Sequence, residues 1–286
     1  EKDKSSVEGI RTYSKSGFQT YSADIFIDCT GDGDVCAMAG CEFDMGDEEN
    51  GICQPMSFVS IVGGVKLEDI REYCIHVPDV PYSDAPKLKT WELLSSLGIK
   101  LSYTMPFFMP IPGETDRFVF ACNHEYHKNG VSAEELTSAT LEGRREAFES
   151  VRALKRLGGI WKNIKVISTP SYIGVRESRR IHGKYKVTKE DLIEGKSWPN
   201  PACHVTFNVD IHFAGGYKNG EVAVKNQGYD IPMEALMAEG FDNLFMAGRC
   251  ISGDFYAHAS YRVMGNTLMM GEGIGRYCAR LLAQRG

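Results

Sequence analysis

No apolar run in this chain of 286 residues is long enough to cross a bilayer, and its first residues, Glu-Lys-Asp-Lys-Ser-Ser, do not read as a signal peptide. A membrane partner is therefore not expected. Long basic runs are missing too. The 32 Lys and Arg are interspersed with 38 Asp and Glu for a net charge of −6, which argues against nucleic acid as the main partner. There is no C-x-x-C, and the spacing of Cys29, Cys36, Cys41 and Cys53 fits none of the ferredoxin patterns, so small buried residues are preferred there to a metal site. The nine cysteines are odd in number and scattered, and free thiols in a reducing compartment, the cytoplasm, account for them most simply. No G-x-G-x-x-G directly follows a strand; Gly271-Glu-Gly-Ile-Gly lies inside a helical pattern.

What is present suffices for two domains. The hydrophobic fraction of 43% is that of an ordinary globular chain. Val7 to Thr12 and Phe18 to Ser22 read as a hairpin around Lys15-Ser-Gly, followed by a strand from Asp24 to Asp28 and a helix starting at Val35. In that turn, Asp32 or Asp34 is a candidate N-cap. Met56 to Ile61 is strand-like up to Gly63-Gly64, and two further strands flank a turn at Pro112-Gly113. Ser132-Ala-Glu-Glu135 reads as a capping box opening the longest helix, which Gly158-Gly159 ends. A strand from Asn163 to Ser168 precedes Arg176-Glu-Ser-Arg-Arg180, a cluster able to present guanidinium forks to a carboxylate or phosphate, or to pair internally with Glu177 and nearby acids. Thr188-Lys-Glu-Asp191 opens a short helix, and His204 to His212 alternates like a strand. Leu244 to Ala247 is a buried-strand run stopped by Gly248, and Val263 to Leu282 has helical length. Gly271 and Gly275 share one face of that helix and would permit close packing.

Three blocks carry a family resemblance: Ala23-Asp-Ile-Phe-Ile-Asp-Cys-Thr-Gly-Asp-Gly-Asp, Gly174-Val-Arg-Glu-Ser-Arg-Arg-Ile-His-Gly, and Asn243-Leu-Phe-Met-Ala-Gly-Arg-Cys-Ile-Ser with Arg262-Val-Met and Met270-Gly-Glu beyond it. In this order they resemble the FAD-dependent oxidoreductases that have a glutathione-reductase-type nucleotide domain, whose relatives include flavoproteins of the heterodisulfide reductase and fumarate reductase kinds. The resemblance implies an α/β fold: a partial FAD-binding, Rossmann-like domain over 1–62, a β-rich α+β substrate or cap domain inserted over 63–225, and a return to the FAD domain over 226–286. The missing glycine fingerprint would lie before Glu1, making the chain a fragment that binds FAD poorly alone.

For the site, the resemblance implies cofactor contacts from Thr30, Gly31, Asp32, Gly248, Arg249, Ser252, Gly253, Arg262, Gly265 and Asn266. Substrate contacts would come from Arg176, Arg179 and Tyr261. His258, in a loop over the flavin, and Arg176 would be catalytic, with His204 and His212 weaker candidates. The implied activity is hydride transfer between FAD and a small substrate, for which an anionic group is one option. The alternatives are an electron-transfer component of a larger complex, with a protein partner, and an inactive domain fragment.

Overall fold

The computed structural model describes residues 5–212 and 226–284. In chain order its strands and helices are β1 (Ile10–Ser14), β2 (Gly17–Tyr21), β3 (Phe26–Asp28), α1 (Asp34–Met38), β4 (Phe43–Asp44) and β5 (Ser60–Gly63). There follow α2 (Leu67–Ile70), α3 (Ala85–Ser96), β6 (Phe107–Pro110), β7 (Arg117–Ala121), α4 (Ala133–Leu157) and β8 (Lys165–Ser168). The last are β9 (Arg180–Ile181), α5 (Lys189–Glu194), β10 (Cys203–Val205), β11 (Tyr229–Ile231), β12 (Leu244–Met246), α6 (Phe255–Tyr261) and α7 (Met264–Ala283). This mixture of helix and sheet fits the α/β class. No helix among the described residues is long and apolar enough to cross a membrane.

Two compact units divide the described chain, the first holding 5–52, 177–211 and 226–284, the second 53–176 and 212. The limits that the resemblance implied were 62/63 and 225/226. The division differs chiefly because β9, α5 and β10 lie with the first unit: β9 pairs antiparallel with β4 and β10 with β11. Such two- and three-residue strands carry no periodicity from which pairing can be read.

In the first unit β12 runs parallel to β3, with Leu244 opposite Phe26 and Met246 opposite Asp28. All three residues of β12 are buried, as a strand covered on both faces requires. Asn243 ties the chain start to this strand, accepting from Val7 N at 2.8 Å and donating to Val7 O at 2.8 Å. Helix α7 buries Asn266, Met270, Ile274 and Cys278, a stripe repeating every four residues. The close approach expected of Gly271 and Gly275 belongs instead to Gly273, where an added Cβ would sit 3.0 Å from the Ala202 carbonyl carbon; Gly271 and Gly275 face open space. Of the expected strand from His204 to His212 only His204 and Val205 pair in β10, which begins one residue earlier at Cys203, because β11 offers just three partners.

The second unit is built on a four-stranded sheet in the order β6-β7-β5-β8, all neighbours antiparallel. Helix α4 buries Ala139, Gly143, Ala147, Val151 and Leu154 at helical spacing. Ser132 caps it by accepting from Glu135 N at 3.3 Å. The expected capping box is half formed, since the Glu135 carboxylate accepts from Asn129 N at 2.7 Å. The full reciprocal box stands at Thr188 and Asp191 of α5.

Candidate functional site

Strand β3 ends on a carboxylate that folds the loop after it. Asp28 is 1% exposed; its Oδ1 accepts from Thr30 N at 2.9 Å and Thr30 Oγ1 at 2.7 Å, and its Oδ2 accepts from Cys36 N at 2.9 Å. Thr30 Oγ1 in turn accepts from Asp34 N at 2.9 Å. The turn needs left-handed backbone at Gly31 (φ 81°) and Gly33 (φ 68°), which only glycine adopts at little cost. Gly33, neither Asp32 nor Asp34, occupies the N-cap position of α1. The Arg249 guanidinium lies where a side chain at Gly31 would stand, and it pairs with Asp32. Asp32 also accepts from Ser178 Oγ at 2.5 Å. Thr30, Gly31, Asp32 and Arg249 thus share one place, the carboxyl ends of β3 and β12, where ligands bind in sheets of parallel strands.

Beyond β12 the chain turns at Gly248 (φ 99°), and an added Cβ there would meet nothing within 4 Å. Ser252 is 2% exposed, and its backbone bonds Ala235 and Val187. The Gly253 carbonyl accepts from Arg180 Nε at 3.1 Å, and the absence of a side chain makes room for the Tyr261 ring, which an added Cβ would approach to 2.6 Å. Arg180 is 2% exposed, donates to Gly46 O at 2.8 Å and pairs with Glu177. Arg262 donates to the Asp210 carbonyl at 2.8 Å. Asn266 donates to Ser260 O at 3.2 Å and braces the turn from α6 to α7, while Gly265 beside it faces open space.

His258 departs from its expected loop. Residues 255–261 form helix α6, because Asp254 Oδ1 accepts from Ala257 N at 2.7 Å and caps it. The His258 ring is completely buried, and neither ring nitrogen has a hydrogen-bond partner among the described residues. Burial, reinforced by the charges of Arg262, Arg180 and Arg249, holds its pKa well below the usual histidine range, so the ring is neutral. Tyr261 likewise departs from the expected substrate contact: it is fully buried and donates to the Ile251 carbonyl at 2.9 Å, which makes it a post between the β12 loop and α6. Arg179 is engaged internally, bonding the Asp32 carbonyl at 3.1 Å and the Asp34 carboxylate at 2.8 Å. Arg176 belongs to the second unit, where it donates to the Pro55 carbonyl and to Ser57 Oγ at 3.1 Å. His204 pairs with Asp230 at 2.7 Å.

Sequence reasoning missed the role of Asp28, which holds the loop after β3, whereas Arg180 follows the internal pairing with Glu177 that was one of its two readings. Among the described residues no group of three or more His, Cys, Asp or Glu is placed to hold a metal ion.

The residues at the strand ends suit an anionic group rich in nitrogen and oxygen. Each of three arginines is paired with a carboxylate, Arg180 with Glu177, Arg249 with Asp32 and Arg262 with Asp210, so the loops offer guanidinium donors and not net charge, and Gly248 and Gly265 leave space for close approach. A family model described as FAD dependent oxidoreductase matches residues 1–286. The chain belongs to that family. It is an FAD-dependent oxidoreductase, and FAD is its cofactor. Comparison with curated proteins and with solved structures found no match.

Proposed function

We propose that this enzyme transfers a hydride between FAD and a small anionic substrate, the cofactor lying at the carboxyl ends of β3 and β12. In this reading the first unit is a Rossmann-like nucleotide domain and the second an inserted substrate domain. When bound, FAD supplies a ring that takes up or releases a hydride. The chain's own residues do the rest. Thr30 and Gly31 shape the loop against the cofactor, Arg249 and Arg262 supply guanidinium donors, and the buried, neutral His258 packs α6 without touching the cofactor. Arg176 holds the anionic part of the substrate. The observation that carries the reading is the meeting of Thr30, Gly31, Asp32 and Arg249 at the carboxyl ends of β3 and β12, with open space in front of Gly248. The nine free thiols support work in a reducing compartment, the cytoplasm.

An absorbance spectrum of the purified full-length protein tests this directly. Flavin bands should be present and should disappear in Gly248→Val, because a β-branched residue at φ 99° is strained and fills the open space. Retention of flavin by that variant would move the cofactor elsewhere.

A second reading, electron transfer to a protein partner, draws support from the hairpin β1–β2, which leaves Tyr13, Phe18 and Tyr21 exposed; aromatic residues are enriched where proteins meet. Serine at Tyr13 and Phe18 should then slow reduction of the protein acceptor and leave turnover with a small-molecule acceptor intact. Equal slowing of both would remove this reading.

A further inference from the structure

The second unit gathers a side-chain cluster around Arg176 whose other members have been given no role above. His124, 4% exposed, lies face to face with Tyr103, the ring centroids 3.8 Å apart and the planes 29° from parallel. His212 meets the His124 ring at 90° and 4.7 Å. These two neighbours fix the plane of the imidazole, and each of its nitrogens then meets a different group. Nδ1 is 3.2 Å from the Tyr126 hydroxyl, and Nε2 is 3.5 Å from Arg176 Nη2.

A guanidinium can only donate. Nε2 therefore presents its lone pair to Arg176, the ring proton sits on Nδ1, and Nδ1 donates to Tyr126. The tyrosine hydroxyl thus accepts from the histidine and keeps its own proton for another acceptor. No such acceptor for Tyr126 occurs among the described residues. Burial raises the Tyr126 pKa, so the hydroxyl stays protonated at neutral pH, while Arg176 favours negative charge beside it. A half-buried donor with a fixed orientation, next to a cation, suits an anionic oxygen.

We propose that Tyr126 is a hydrogen-bond donor of a binding site for a small carboxylate in the second unit, with His124 as the positioning residue that sets its orientation and Arg176 as the source of charge. This rests on the reading that the enzyme's substrate is anionic, and it names the group that would meet the substrate.

The test uses the full-length protein with ¹³C- and ¹⁵N-labelled histidine. Acetate is titrated in, with acetamide as the neutral molecule of the same shape, and the imidazole resonances of His124 and His212 are followed. Acetate should shift them saturably and acetamide should not. Tyr126→Phe, which keeps the ring, should weaken acetate binding about tenfold or more, the loss expected for a hydrogen bond to a charged acceptor. Arg176→Gln should weaken it further, and the ¹⁵N shifts of His124 should report the proton on Nδ1. Unchanged acetate affinity in Tyr126→Phe, an equal response to acetamide, or a proton on Nε2 would each overturn the proposal. No turnover or flavin signal enters this titration. Failure here with flavin bands intact leaves the oxidoreductase reading standing, and saturable acetate binding in a protein without flavin would remove only the cofactor assignment.

Discussion

Three glycines at alternate positions of α7 should respond to alanine with opposite signs. Replacing glycine by alanine inside a helix gains about 1 kcal/mol in helix propensity, and at Gly271 and Gly275 nothing within 4 Å opposes the new methyl group. Each of those variants should be stabilised by roughly 0.5–1 kcal/mol. At Gly273 the methyl would overlap the Ala202 carbonyl oxygen and lie 3.0 Å from both the carbonyl carbon and Cα of that residue. These atoms are backbone, and they are held, because Ala202 N donates to Ile231 O at 2.8 Å as the chain enters β10. Overpacking of this kind costs about 1–3 kcal/mol. After the propensity gain, Gly273→Ala should lose up to about 2 kcal/mol, a swing of about 1–3 kcal/mol between positions two residues apart. Thermal melts followed by far-ultraviolet circular dichroism would read the difference at about 2–4 °C per kcal/mol for a unit of this size, and hydrogen exchange at Cys203 to Val205 would locate it. If alanine at 273 raised the melting temperature as much as alanine at 275, α7 would not rest on Ala202.

Two further predictions concern buried polar groups. Glu125 is 5% exposed, and burial, assisted by the charges of Glu146 and Glu142, lifts its pKa from 4.5 to about 7; between these values the folded protein keeps a proton that the unfolded chain has lost, so stability falls as pH rises through the window, by at most about 3 kcal/mol. Urea midpoints of wild type and Glu125→Gln at pH 5 and pH 8 should show the variant with the flatter pH dependence, and parallel profiles would refute the assignment. Tyr261→Phe should lower stability by about 1–2 kcal/mol through the lost bond to the Ile251 carbonyl and leave KM unchanged, whereas a raised KM at normal stability would restore the substrate role that the sequence suggested.

How much was legible in the sequence follows from how far each signal reaches along the chain. The hairpin of β1 and β2, the end of β3 at the Thr30-Gly31 turn, the Thr188 cap and the stop of β12 at Gly248 were readable because each is decided by residues a few positions apart. The cap of α6 was equally local: Asp254 stands three residues before Ala257, and reading it as an N-cap would have placed His258 in a helix. The arginine cluster was of another kind. Its five-residue spacing announces anion binding, yet Arg180 ends on Gly46 and Gly253, Arg179 on Asp32 and Asp34, and Arg176 on Pro55 and Ser57, partners from 73 to 147 residues away. No pattern in the motif distinguishes these fates. The same holds for His124, which one would rate as a solitary histidine until folding brings Tyr103, Arg176 and His212 around it. Side chains whose role is set by distant partners have no sequence signature of their own, and in this enzyme the histidine and tyrosine cluster of the second unit is of that kind. The glycines after β3 could be read because the backbone itself requires them there, and so the loop announces a ligand while the groups that would choose between ligands stay silent.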